Sequence, residues 1–390
     1  MKPVGLVTCY FHHNYGSMLQ AYATEMIMQK MGLPYLTISC KRPRDYMVEN
    51  KYLYYLKKIL IGDWKMFLGK ERLKKAIREY PDFGEKWSMR EAAFDEFAKC
   101  YFHTSKFCRN RTELEAMTND FSAFLVGSDQ LWRTDSVEHG YYTLEWVPDN
   151  IRKIAYSTSI GVKKIPWFQV GKNKKFMKRF NFIAMREQSA CDIVKSLTGR
   201  DVPVVLDPTL LFTGDDWLGI QQQEALVKEK YIFVYLLGNN PDQREYIKQV
   251  KAQTGYKIVA LQHLDDYIPG DEGFADIAPY VGPKEFLNYI RNAELVFTDS
   301  FHCSVFSILY HKNFHTFSRF GDNARQNTNT RIDNLLHITG LEDRRWNVTN
   351  SIEASMKAPN YAGVEDKLDA MRESSWNYLN KALANLKDND

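Results

Sequence analysis

Val4-Gly5-Leu6-Val7-Thr8-Cys9-Tyr10 reads as a buried strand, and Gly16-Ser17-Met18-Leu19-Gln20-Ala21-Tyr22-Ala23 begins a segment of different period. From Gly16 to Met31 the residues Leu19, Tyr22, Ala23, Met26 and Ile27 recur at helical spacing, and Gly32 is placed to end the helix. Pro34 to Ile38 returns to an extended pattern. Strand, turn, helix and strand make one βαβ unit.

The same rhythm returns further along. Ala123 to Val126, Lys153 to Ser159, Phe182 to Met185 and Val202 to Leu206 read as strands, and Ser189 to Leu197 reads as a helix closed by Gly199. A second series follows, with strands at Tyr231–Leu237, Tyr256–Leu261, Glu294–Thr298 and Asn313–Phe317. Helices are expected at Pro241–Thr254, Pro283–Asn292, His302–Tyr310 and Arg331–Ile338. Strand and helix in alternation predict an α/β protein with parallel sheets covered on both faces.

A chain of 390 residues exceeds one ordinary core. The expected division is a Rossmann-like domain over 1–212, a second over 213–360 and a C-terminal helix in 361–390. Residues 41–118 break the rhythm with basic amphipathic segments and are read as a helical insertion in the first domain. Apolar residues at 44% and charged residues at 26% exclude a disordered chain.

The net charge is +4, but Lys51–Tyr80 carries nine Lys/Arg against three acids and Lys163–Arg179 carries seven against none. No nucleic-acid signature accompanies these stretches, so nucleic acid is not an expected partner. Tyr52, Tyr54 and Tyr55 beside Lys57 and Lys58 leave two readings open: packing onto the parent domain, or peripheral contact with a membrane surface. Six scattered cysteines without a CxxC pair, no secretory signal and no run long enough to span a bilayer point to the cytoplasm, including the inner face of the membrane. Neither a metal nor a cofactor is expected. The oligomeric state is left open.

Ligands of open parallel sheets bind beyond the carboxyl ends of the strands. That rule selects five places. Asn14 and Gly16 lie at the first helix start, where a cap, a close backbone approach and free N–H groups favour an anion. Gly127-Ser128-Asp129-Gln130-Leu131-Trp132 combines an acid, hydroxyl and amide groups, and an indole for stacking. Ser159 ends the next strand. Arg186 leaves the following one beside Glu187 and can fork onto a carboxylate or phosphate. Thr298-Asp299-Ser300-Phe301-His302 joins a helix start, hydroxyls and an imidazole. Arg325 and Arg331, near Asn327 and Asn329, flank a polar loop that could close on phosphate.

These stretches, in this order, resemble the polysaccharide pyruvyl transferase family. The resemblance rests on Asn14-Tyr15-Gly16-Ser17-Met18-Leu19-Gln20, Gly127 to Trp132, Met185-Arg186-Glu187-Gln188-Ser189, Leu206-Asp207-Pro208-Thr209-Leu210-Leu211, Thr298 to His302, and Arg331-Ile332-Asp333-Asn334-Leu335-Leu336. It runs from about Val4 to Leu341. It implies a GT-B-like fold, two Rossmann-like domains facing across a cleft. It also implies transfer of pyruvate from phosphoenolpyruvate to a sugar as a ketal in cell-surface glycan synthesis, the acceptor being a glycan or lipid-linked saccharide.

Carried over by position, the resemblance makes Arg186 the holder of the donor's carboxylate or phosphate and His302 the main proton donor or phosphate contact, and it puts Asp129 in the cleft. The needs of an enol ether then select His302 as acid, Arg186 as clamp and Asp129 as base or acceptor anchor. Asn14, Gly16, Ser128, Trp132, Ser159, Asp299, Ser300, Arg325 and Arg331 are expected to line the substrate site. Better described members carry Arg two residues before the histidine, where this chain has Ser300. The phosphate charge would then come from Arg325 or Arg331. A GT-B glycosyltransferase with a nucleotide-sugar donor and a non-catalytic glycan-binding protein are the alternatives.

Overall fold

A computed structural model describes the chain except residues 41–46, 49–50, 61–63, 264–265, 269–270, 272, 320–329, 348 and 387–390. Arg325, Asn327, Asn329 and the first residues of the expected insertion lie outside the described residues. The first half contains β1 (Val4–Val7), α1 (Tyr15–Lys30), β2 (Tyr35–Thr37), and the helices α2 (Lys51–Leu60), α3 (Trp64–Glu79), α4 (Pro81–Tyr101) and α5 (Arg111–Ala116). It continues through β3 (Ala123–Val126), β4 (Arg152–Thr158), α6 (Val170–Arg179), β5 (Phe182–Met185) and α7 (Gln188–Thr198).

The second half holds β6 (Tyr231–Tyr235), α8 (Pro241–Thr254), β7 (Lys257–Ala260), α9 (Pro283–Asn292), β8 (Leu295–Thr298), α10 (Phe301–Leu309) and β9 (Phe314–Thr316). The helices α11 (Thr330–Thr339), α12 (Ile352–Met356) and α13 (Val364–Ala382) complete it.

Two parallel sheets result, ordered β2-β1-β3-β4-β5 and β7-β6-β8-β9. β1, β3, β6 and β8 are buried along their whole length, as helices on both faces require. Local chemistry sets the helix boundaries. The Asn14 side chain accepts from the Ser17 N–H at 3.2 Å to start α1, and Gly199 at φ 77° closes α7.

The expected strand Val202–Leu206 shrinks to one bridge between Met185 and Val204. Only Met185 N–H to Pro203 O at 3.0 Å and Val205 N–H to Met185 O at 2.9 Å join it to the sheet edge. Pro203 has no N–H to continue the ladder.

A shared apolar core joins the halves. Tyr15 of α1 stacks on Phe286 of α9 with ring centres 4.7 Å apart and donates its hydroxyl to the Val281 carbonyl at 2.9 Å. α13 returns to the first half, where Tyr378 donates to the Ala155 carbonyl and the Leu206 N–H donates to Ser375. These contacts bring α1 and α10 together and place the carboxyl ends of β3, β4, β5 and β8 around one locus.

Candidate active site

Asp207 lies at the centre of that locus and is fully buried. Its Oδ1 accepts from the Thr209 N–H at 3.1 Å and the Thr209 hydroxyl at 2.7 Å, which fixes the carboxylate plane. Its Oδ2 accepts from Ser128 Oγ at 2.7 Å and from Arg186 Nη1 at 2.9 Å, and lies 3.5 Å from His302 Nε2. Arg186 follows β5 and His302 starts α10, so the two halves meet on one oxygen.

Asp129 forms the second anionic point. Its Oδ2 accepts from Ser17 Oγ at 2.8 Å, and its Oδ1 lies 3.6 Å from Arg186 Nη2. The backbone at Asp129 has φ 77° and that at Ser157 has φ 52°, left-handed values uncommon for residues with side chains. Such strain concentrates where a fold aims groups for function. Burial pushes the Asp129 carboxyl up, but Arg186, His302 and Arg331 together override it and hold the group well below the usual carboxylate range. Asp207 behaves alike: burial opposes ionisation, while His302 and Arg186 more than offset it. Both acids stay ionised, and Asp129 is accordingly a weak base.

The cations are less satisfied than the acids. Arg186 is buried, and Asp207 and Asp129 hold its proton against the cost of burial. Its Nε and Nη2 nevertheless make no hydrogen bond. Arg331, at the start of α11, is also buried with its Nε unpaired. Burial, followed by repulsion from Arg186, lowers its pKa to about 9. The two guanidinium groups lie over the Phe301 ring, at 4.5 and 5.6 Å from its centroid. Two buried cations with unpaired N–H groups are suited to an anion.

Gly16 gives His302 its place. A methyl group at position 16 would lie 2.2 Å from His302 Nδ1, so only glycine admits the ring there. His302 Nε2 is buried without a hydrogen bond, its nearest anion being Asp207. Ser159 and Glu187 make an adjoining brace. Glu187 Oε1 accepts from Ser159 Oγ at 2.9 Å and from the N–H groups of Ile160 and Gly161 at 3.1 and 3.4 Å.

His302, Arg186, Asp129, Ser128, Gly16 and Arg331 are brought together. Asn14 and Ser300 act as caps of α1 and α10, the Ser300 side chain accepting from the Cys303 N–H at 3.4 Å. Two expectations are corrected. Trp132 is fully buried against Phe176 and Phe180, with Nε1 donating to the Tyr142 carbonyl, and offers no stacking face to a ligand. Asp299 points into its own half, where its carboxylate accepts from the N–H groups of Leu237 and Gly238, each at 2.7 Å. Asp207, Ser17 and Phe301 were not selected from sequence. Asp207 lies beyond an extended segment, as Asp129 does, within one of the stretches that carry the resemblance. Among the described residues no three His, Cys, Asp or Glu side chains gather as a metal site.

A family model for polysaccharide pyruvyl transferase matches residues 14–319. The chain belongs to the polysaccharide pyruvyl transferase family. The match takes in every residue of the cluster except Arg331. No curated protein matches the chain in sequence. Among solved structures, a Listeria monocytogenes protein assigned as a UDP-N-acetylglucosamine 2-epimerase superposes with a TM-score of 0.54 at 9% identity, covering 100% of this chain and 97% of the other. The UDP-GlcNAc 2-epimerase of Neisseria meningitidis bound to UDP-GlcNAc gives 0.51 at 8% identity, with 96% and 94% covered. These likenesses show the fold: this pyruvyl transferase family member is GT-B-like, two Rossmann-like domains with the cluster between them.

Proposed function

We propose that the protein transfers pyruvate from phosphoenolpyruvate to two hydroxyls of a glycan or lipid-linked saccharide, forming a ketal in cell-surface glycan synthesis. One observation carries this reading. Where the halves meet, a buried imidazole and two buried guanidinium groups have nitrogens without a hydrogen-bond partner. A small donor bearing carboxylate and phosphate supplies the missing acceptors, and its enol ether needs an acid. Arg186 and Arg331 bind the donor's negative charge, Arg331 standing in for the arginine that Ser300 replaces. His302 gives a proton to the methylene carbon, which becomes a methyl group and leaves an oxocarbenium-like centre.

The first sugar hydroxyl attacks that carbon and its proton returns to the imidazole. The second hydroxyl attacks the same carbon, phosphate leaves, and the released proton goes with it. Asp207 holds the imidazole and Arg186 in register, and Asp129 anchors Arg186 and the acceptor side. Saturation with a ligand at about 100 times Kd adds roughly 2.7 kcal/mol, a rise in Tm of about 2–4 °C for a protein of this size. Phosphoenolpyruvate should produce that rise, and inorganic phosphate should appear once a glycan acceptor is added. A rise with nucleotide sugars alone, and no phosphate release, would replace this reading with glycosyl transfer.

A further inference from the structure

Two exposed aromatic and basic segments, a hundred residues apart in sequence, are pinned to the same side chain. Glu138 accepts Lys57 Nζ of α2 at 2.9 Å and Gln169 Nε2 at 2.8 Å, and its carbonyl accepts Lys172 Nζ of α6 at 2.9 Å. α2 and the beginning of α6 therefore meet at Glu138. On α2, Tyr52, Tyr55, Leu56 and Ile59 follow i, i+3, i+4, i+7 spacing and are 82, 61, 43 and 65% exposed, while Tyr54 turns inward. Two residues ahead of Gln169, Trp167 is 86% exposed. Lys51, Lys163, Lys164, Lys174, Lys175 and Lys178 are also exposed.

Single apolar residues on a surface need no explanation, but an apolar helical stripe with an indole alongside does. We propose that this composite face docks on an anionic phospholipid bilayer. The charge of the two segments complements such a surface, since Lys163–Arg179 contains no acid. Trp and Tyr suit the headgroup boundary, and lysine stems lie along apolar surface while their ammonium groups stay at the phosphates. Leu56 and Ile59 distinguish a bilayer from nucleic acid, which offers aliphatic side chains no apolar layer to enter. The face shares no residue with the cluster around Asp207, and the proposal stands or falls independently of the reaction.

The test is cosedimentation of the full chain with phosphatidylcholine vesicles, alone or containing one quarter phosphatidylglycerol. Binding to the anionic vesicles is expected, with little to the neutral ones, and it should weaken as salt rises. Ile59→Glu and Trp167→Ala should each reduce binding roughly tenfold or more, and the pair Lys174→Ala with Lys175→Ala should do so by roughly tenfold. All three variants should keep the wild-type Tm and any phosphate release with a soluble acceptor. Failure of the wild type to bind anionic vesicles at low salt overturns the proposal, as do variants that bind equally well. It also fails if sedimentation velocity shows a wild-type dimer that these substitutions convert to monomer, because the face would then be a contact between copies.

Discussion

His302 Nε2 lies 3.5 Å from Asp207 Oδ2, across the junction of two halves that are otherwise separate sheets. That oxygen already accepts from Arg186 and Ser128 of the first half. The imidazole of the second half is thus oriented by a carboxylate of the first, and the acid and the donor clamp share one reference point. A rotation between the halves would separate them together.

Removing the imidazole tests the proton donor. His302→Ala should lower kcat by about 10²–10⁴-fold, measured as acceptor-dependent phosphate release. The donor-induced rise in Tm should persist, because both guanidinium groups remain. Wild-type turnover in this variant would remove His302 from the reaction.

Asp207 is expected to govern acid stability. Its folded pKa is depressed, so its contribution is present above the unfolded value of about 3.9 and is lost as pH falls toward the folded value. Asp129 adds to the same trend. Urea unfolding of the wild type should therefore show stability declining from about pH 5 downward, with a shallower decline in Asp207→Asn. Asp207→Ala should cost about 3–5 kcal/mol at neutral pH by leaving Arg186 without its closest anion. Equal pH slopes for wild type and Asp207→Asn would show that this carboxyl is not the titrating group.

Gly16→Ala should separate position from chemistry. The new methyl group conflicts with His302 Nδ1, and displacing the ring should cost about 1–3 kcal/mol of stability. Because the acid moves while the cations stay, kcat should fall with KM for phosphoenolpyruvate nearly unchanged. A crystal structure of the variant with His302 in its original place would contradict this account.

Arg331 carries a charge that its surroundings disfavour, as a pKa lowered to about 9 shows. Arg331→Met should leave the ligand-free protein as stable as wild type or more so, since burial and Arg186 both oppose the cation. The same substitution should raise KM for phosphoenolpyruvate by about 10–150-fold, the range of a charged hydrogen bond. Calorimetric unfolding and steady-state kinetics measure the two effects. A less stable ligand-free variant with unchanged KM would make Arg331 a structural residue.

The order of strands and helices was legible in the residues themselves. Apolar spacing over Gly16–Met31 and Pro283–Asn292, and the cap at Asn14, depend on neighbours a few positions away, and those interactions are set by backbone geometry. The rule that ligands gather beyond strand ends likewise led to Asp129, Arg186 and His302. Tertiary structure alone decided which of the selected side chains face one another. Trp132 and Asp299 stand in suitable turns, yet one is enclosed by Phe176 and Phe180 and the other by the backbone of Leu237 and Gly238. Asp207 stands in a stretch that carries the resemblance, but it became the centre only when β5 and α10 converged on it. Burial and charge pairing are properties of the packed halves: Asp129 meets Ser17 from 112 positions away, and Asp207 meets Ser128 from 79.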